Sequence, residues 1–167
     1  MIRKAVLDSG VMFDALVADL ICSDPPVPIN YGRLAGCLHE SVRPPEAQRR
    51  LLEILGSIRI RLTTSHAIGE VNGLTNSRLD LRGPHLSTFW ERSTELLTLW
   101  NLGERLIEFL DLARREAATF PRAGIVDTGL VELAFRESCV LITNDERTLA
   151  LVAWERGVGA ICFEKRL

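Results

Sequence analysis

The sequence predicts an α/β fold, a parallel sheet covered by helices on both faces. Three observations carry that expectation. Short aliphatic runs alternate with helix-periodic segments along the chain. Several of the runs, Val140-Leu141-Ile142-Thr143 above all, are continuously apolar, as strands buried on both faces are. The 167 residues, 47% hydrophobic and 25% charged, suffice for a single well-packed domain. No internal repeat or low-complexity segment divides the chain.

Each element has its own signal. Ala5-Val6-Leu7 reads as a strand that ends in the turn Asp8-Ser9-Gly10, and Val11 to Leu20 follows at helical spacing. Residues 24–45 hold five of the seven prolines and read as a Pro-rich insertion, with one short helix expected around Tyr31–His39. Glu46 to Ile54 is a helix behind a proline pair. Ile58 to Thr63 alternates apolar residues with arginine, as a strand with one wetter face does. Thr64-Ser65 can cap a helix from His66 to about Leu74. After a break at Gly83-Pro84, Leu86–Leu99 forms an amphipathic helix carrying Trp90. Leu106–Leu110 fits helix or strand; it is taken as a strand, with Asp111 capping a helix to about Phe120. Asp127 opens a helix to Glu137, and Val140–Thr143 is the clearest strand. A helix over Glu146–Arg156 and a strand over Ala160–Phe163 close the chain.

Composition excludes several classes of function. The net charge of −2 gives no global basic field toward nucleic acid or membrane, so any nucleic-acid contact has to be local. All basic residues but Lys4 and Lys165 are arginine, which suits bidentate phosphate contacts without indicating them. The pairs Arg49-Arg50, Arg59 with Arg61, and Arg114-Arg115 could guide RNA, although a solvated face explains each more simply. Cys22, Cys37, Cys139 and Cys162 form no C-x-x-C pair and read as small buried hydrophobes of a reducing compartment. His39, His66 and His85 are too scattered for a zinc site. Asp8 and Asp14 interrupt what would otherwise be the apolar stretch of a leader, and no uncharged run approaches the ~18 residues of a membrane span. The cytoplasm is the expected address.

The chemistry sits in the acids. Ligands of an open parallel sheet gather beyond the carboxyl ends of its strands, where strand order reverses. Asp8 ends the first strand and Asp145 directly follows the strand ending at Thr143. Glu70 lies about a turn into a helix that follows a strand, and Asp127 begins another at the same end. Each could be a cap or a solvated acid taken alone; together they crowd one cleft. Clustered carboxylates repel unless a cation or shared protons neutralise them. With neither His nor Cys beside them, an oxygen-only site favours Mg²⁺ or Mn²⁺, and the chemistry it suits is phosphodiester hydrolysis.

At these residues the sequence resembles a known family. The order AVLDSGVMFDAL, TTSHAIGEV, GIVDTGLVELA and LITNDERTLA is similar to PIN domains, which include prokaryotic toxin ribonucleases and RNA-processing nucleases. The resemblance runs from Ala5 to about Ala150, with the last strand also fitting. It implies a single three-layer α/β/α domain whose five strands lie in the order 3-2-1-4-5. It also implies an Mg²⁺- or Mn²⁺-dependent endoribonuclease cleaving single-stranded RNA. By position, its acids fall on Asp8, Glu70, Asp127 and Asp145, with Ser9, Thr143 and Asn144 orienting ligands or substrate beside them. A homodimer and an antitoxin partner are further expectations, the dimer supported by the apolar surface of Leu86–Leu99 with Trp90 and Trp100. Two rivals remain open. One is a non-catalytic RNA-binding or scaffold module on the same fold. The other is a phosphoryl-accepting protein with Asp8 as nucleophile, although Gly10 stands where a dehalogenase-like phosphatase needs a second aspartate.

Overall fold

A computed structural model describes residues 2–23, 31–115 and 120–163. Five strands form one all-parallel sheet: β1 Lys4–Leu7, β2 Ile60–Thr64, β3 Gly103–Arg105, β4 Val140–Thr143 and β5 Ala160–Cys162. Their order is β3-β2-β1-β4-β5, as expected. Register aligns Val6 with Leu62 on one side and with Leu141 on the other, so β1 lies at the centre. Its Ala5, Val6 and Leu7 are wholly excluded from solvent. Burial of Val6 and Leu7 contributes roughly 1.5–3 kcal/mol each.

Among the described residues eight helices cover the sheet: α1 Ser9–Cys22, α2 Tyr31–Cys37, α3 Pro45–Ser57, α4 Ser65–Leu74, α5 Pro84–Leu99, α6 Phe109–Arg115, α7 Phe120–Arg136 and α8 Leu149–Glu155. Helices α2 to α5 pack on or beside α1, whereas α7 lies against β1, β2 and β4 with α6 and α8 next to it. That division follows from right-handed crossovers. Connections running toward β3 place helices on one face, and those returning to β4 and β5 place them on the other. Helix α1 is buried nearly all round, including Asp14 within it. The chain reverses direction across the sheet between β1 and β4, which opens the crevice where Asp8 and Asp145 emerge.

Four strands fall where the sequence pattern puts them; β3 does not. The strand is Gly103–Arg105, while Leu106–Leu110 is loop followed by the start of α6, with Leu106 and Leu110 exposed. An edge strand pairs on one side only, so it needs no apolar run. Gly103 fits there because a Cβ would come within 2.8 Å of Leu62 Cδ2. Helix α7 is broken at Gly124, whose φ of 78° is a conformation that side chains disfavour. Asp127 lies in the first turn of its helical segment, two residues after that segment begins.

Helix α8 starts at Leu149 rather than Glu146. The insertion contains α2, as expected, followed by a 3₁₀ turn at Glu40–Val42, and its residues 24–30 lie outside the described residues. So do residues 116–119 of the helix expected up to Phe120. None of the four cysteines is in a disulfide, and Cys22 is exposed and the others half-buried, so they are less enclosed than their apolar neighbours suggest.

Arg61 is also not on a wet face. It is buried, with Nε donating to the Leu55 carbonyl at 2.6 Å and Nη2 to that of Gly56 at 2.6 Å. Nη1 reaches the Trp100 carbonyl, and the guanidinium lies over the Trp100 ring. Arg61 thus closes the last carbonyls of α3 and α5, the place where helix dipoles favour a cation. Among the described residues, no helix is long and apolar enough to cross a membrane.

Candidate functional site

The carboxyl edge of the sheet forms a cleft of about 340 Å³ lined by Asp8, Asp14, Glu70, Asp127 and Asp145, together with Ser9 and Asn144. All four acids expected from the sequence meet here. The fifth, Asp14, was not expected.

Asp8 leaves β1 with its backbone N–H donating to Ile142 of β4 at 3.0 Å. Its position is the N-cap of α1, yet its side chain makes no capping hydrogen bond. Instead Oδ2 accepts from Thr143 Oγ1 at 2.8 Å and Oδ1 accepts from Ser9 Oγ at 3.1 Å. The carboxyl is turned into the cleft, away from the cap role that a helix start offers. Burial raises its pKa; the hydrogen bonds from Thr143 and Ser9 and the nearby Gly10 N–H oppose that rise.

Ser9 ties Asp8 to Glu70. Its hydroxyl also lies 2.6 Å from Glu70 Oε2. A hydroxyl has one proton to donate, so it serves one of the two carboxylates at a time. The three oxygens are short of positive charge.

Thr143 ties Asp8 to Asp145. While donating to Asp8, its Oγ1 accepts the Asp145 backbone N–H at 2.9 Å. Asp145 Oδ1 in turn accepts the N–H groups of Arg147 at 3.0 Å and Thr148 at 2.9 Å, a local turn that delays α8. One oxygen of Asp145 is thus structural, and Oδ2 carries no hydrogen bond among the described residues.

Asp127 reaches the cleft from the opposite layer, where α7 packs on α4. Its carboxyl accepts no hydrogen bond among the described residues. Its pKa is raised to about 7, first by burial and then by Asp8, Glu70 and Asp145. A cap would do the opposite, because N–H donors lower the pKa of the carboxylate they bind.

Asp14 is buried on α1, with Oδ1 accepting the His39 N–H at 3.0 Å and Oδ2 accepting from Asn144 Nδ2. It thereby fastens the His39 loop and the Asn144-Asp145 turn to α1. Burial raises its pKa to about 6, against the His39 N–H and the charges of His39 and Arg78. In sequence Asp14 is only a charge inside an apolar helix, and neither partner lies near it along the chain. The unsatisfied charge of such a position was the one available signal.

No ion pair neutralises Asp8, Asp14, Glu70, Asp127 or Asp145 among the described residues. Nor are three Asp, Glu, His or Cys side chains there already gathered around one point at ligand spacing. The donor chemistry nonetheless fits Mg²⁺ or Mn²⁺. Every available donor is an oxygen, and Mg²⁺ retains most of its water while binding through one or two carboxylates and a substrate phosphate. Asp8 Oδ1, Glu70, Asp127 and Asp145 Oδ2 are the groups that could hold it. Compared with known proteins, the chain matches no family model and no curated sequence.

Proposed function

We propose that this protein is an Mg²⁺- or Mn²⁺-dependent endoribonuclease acting on single-stranded RNA. One observation carries the reading: four carboxylates from four separate elements face one cleft at the switch point, and none of them is in an ion pair among the described residues. Asp127 expresses the imbalance most clearly, with its carboxyl raised to about 7 by burial and by the three other acids. The preference for RNA, and for hydrolysis over binding alone, rests on the resemblance to PIN domains.

Bound between these acids, the cation would supply charge neutralisation at the phosphate and a water of lowered pKa. The protein's own residues have distinct tasks. Asp8 and Asp145 flank the crevice and are held at fixed separation by the shared Thr143 hydroxyl. Glu70 and Asp127 reach the cleft from α4 and α7 and complete the acidic pocket that would hold the cation and orient the attacking water. Asp14 and Asn144 hold the turn that carries Asp145.

The test is cleavage of a single-stranded RNA by purified protein with Mn²⁺, repeated with EDTA and with Asp8→Asn. Cleavage that EDTA abolishes supports the reading. RNA binding without cleavage points to the non-catalytic module instead.

A toxin role with an antitoxin partner is an extension of the same resemblance, checked by growth arrest on induction. The homodimer is also a proposal, and its basis changes. Trp100 is internal, sealed under Arg61, and the most exposed large apolar side chains among the described residues are Leu99, Leu106 and Leu110, which flank β3 along the chain. Sedimentation velocity decides it.

A further inference from the structure

A cleft of five acids repels the phosphates of its own substrate. Single-stranded RNA carries one negative charge per nucleotide, so a nuclease needs cations where the strand enters and leaves. Several arginines with described side chains are committed elsewhere. Arg33 and Arg82 pair with Asp80, Arg92 with Asp19, and Arg136 and Arg156 with Glu132. Arg61 is buried on helix carbonyls. Arg78 and Arg43 are different.

Arg78 belongs to a π-helical turn, Thr75–Leu79, that continues α4 beyond Glu70. Such turns are rare and recur at functional sites. Its guanidinium lies over the Phe13 ring at 5.7 Å and forms no ion pair among the described residues. Arg78 lines the acidic cleft and also an adjoining groove of about 540 Å³, which it shares with His39, Arg43 and Glu40. The two cavities meet at Arg78 and His39. Arg43 donates Nε to the Leu38 carbonyl at 3.2 Å, which orients the guanidinium and leaves its terminal nitrogens without a partner among the described residues. Among the described residues, Glu40 is the one acid that lines the groove.

The geometry points to a phosphate-binding subsite beside the acids, formed by Arg78 and Arg43 with His39, which holds the phosphodiester flanking the bond to be cleaved. It rests on the nuclease reading above and gives that site a direction for the strand. Arginine forks suit the task because two parallel N–H donors match a phosphate's oxygens.

The test measures equilibrium binding of a short oligouridylate to the full chain in EDTA across a salt series, which needs no metal and no turnover. Arg78→Gln and Arg43→Gln should each weaken binding about tenfold or more, as loss of a charged hydrogen bond does. Each should also reduce the slope of log K against log salt by about 0.7, the value for one phosphate contact on a single strand. Arg78→Lys should keep the slope and lose part of the affinity. Arg3→Gln, at the other end of the sheet, should change neither. The deoxy oligonucleotide should show the same losses, since a phosphate and not a 2′-hydroxyl is read.

Unchanged affinity and slope in both glutamine variants, or wild type that binds no oligonucleotide at low salt, overturns the subsite even if the protein cleaves RNA. Conversely, binding that depends on both arginines in a protein that neither cleaves RNA nor responds to Mn²⁺ upholds the subsite and sinks the nuclease reading.

Discussion

The two ends of the sheet differ in how they treat acids. At the amino end lies the larger cavity, about 840 Å³, bordered by Arg3, Lys4, Phe135 and Glu137. Its acid is answered: Lys4 Nζ sits 2.6 Å from Glu137 Oε2, and that bond holds the Glu137 carboxyl below its usual range. Nearby, buried Glu132 is gripped by Arg136 at 2.6 Å and Arg156 at 3.4 Å. At the carboxyl end the cavity is less than half as large, and although Arg78 and His39 border it, its acids bond to hydroxyls and amides and form no ion pair among the described residues. There Asp8, Asp14 and Asp127 are all pushed up, with burial the leading cause in each. Cavity size therefore does not mark the site. Uncompensated charge does, because a fold keeps buried like charges together only at a cost in stability.

The contrast predicts its largest effect on activity. Asp8→Asn or Asp145→Asn should reduce RNA cleavage at least ~10²-fold, the scale of removing a preorganised electrostatic group. Glu137→Gln, which removes an acid from the larger cavity, should leave the rate unchanged in the same assay.

Next comes the hydroxyl that joins the two central acids. Thr143→Val keeps the shape but strands the Asp8 carboxyl and the Asp145 N–H. Loss of about 1–3 kcal/mol in chemical denaturation is expected for a buried partner left unsatisfied. Cutting Lys4–Glu137 by Lys4→Met should cost about 0–1 kcal/mol, as a partly exposed pair does.

The pH dependence separates the ends by sign. Asp127 binds its proton more tightly in the folded protein, about 7 against the ordinary 3.8. Its contribution is thus unfavourable to metal-free folding above that window and vanishes below it. Metal-free wild type should lose stability relative to Asp127→Asn as pH rises from about 4 to 7, reaching a difference of about 1 kcal/mol or more. Glu137 runs the other way: its folded-state pKa is depressed, so its contribution is present at neutral pH and is lost as pH falls through the acid range. Denaturant titrations of the two glutamine or asparagine variants against wild type across that range check both signs.

How much of this was legible in the sequence follows the same division. The sheet's buried strands announced themselves because both faces must be apolar; β3 was hidden because Gly103-Glu104-Arg105 is an edge with one neighbour. Asp8 and Asp145 were legible from parallel topology, since each follows a strand whose direction is fixed, and Glu70 and Asp127 from their place in helices that start at the same end of the sheet. Asp14 was not, because its roles come from Asn144 and His39, far away in sequence. Arg61 read as a wet strand residue, and only the arrival of α3 and α5 turns it inward. Arg78 had no signal either, as its place depends on a π turn that no local pattern encodes. Position along an element is readable; what the neighbours from distant segments do to a charge is not.

The central claim is that the carboxyl-end acids are arranged to hold a divalent cation. Thermal unfolding with and without Mn²⁺, for wild type and Asp8→Asn, tests it most directly. At a hundredfold excess over its dissociation constant the ion should stabilise wild type by about 2.7 kcal/mol, a rise in Tm of roughly 5–11 °C for a chain of this size. Asp8→Asn should show a small fraction of that rise and, without metal, should be as stable as wild type or more so. Equal Mn²⁺ shifts in both proteins, with Asp8→Asn strongly destabilised without metal, would contradict the claim and make Asp8 a structural residue.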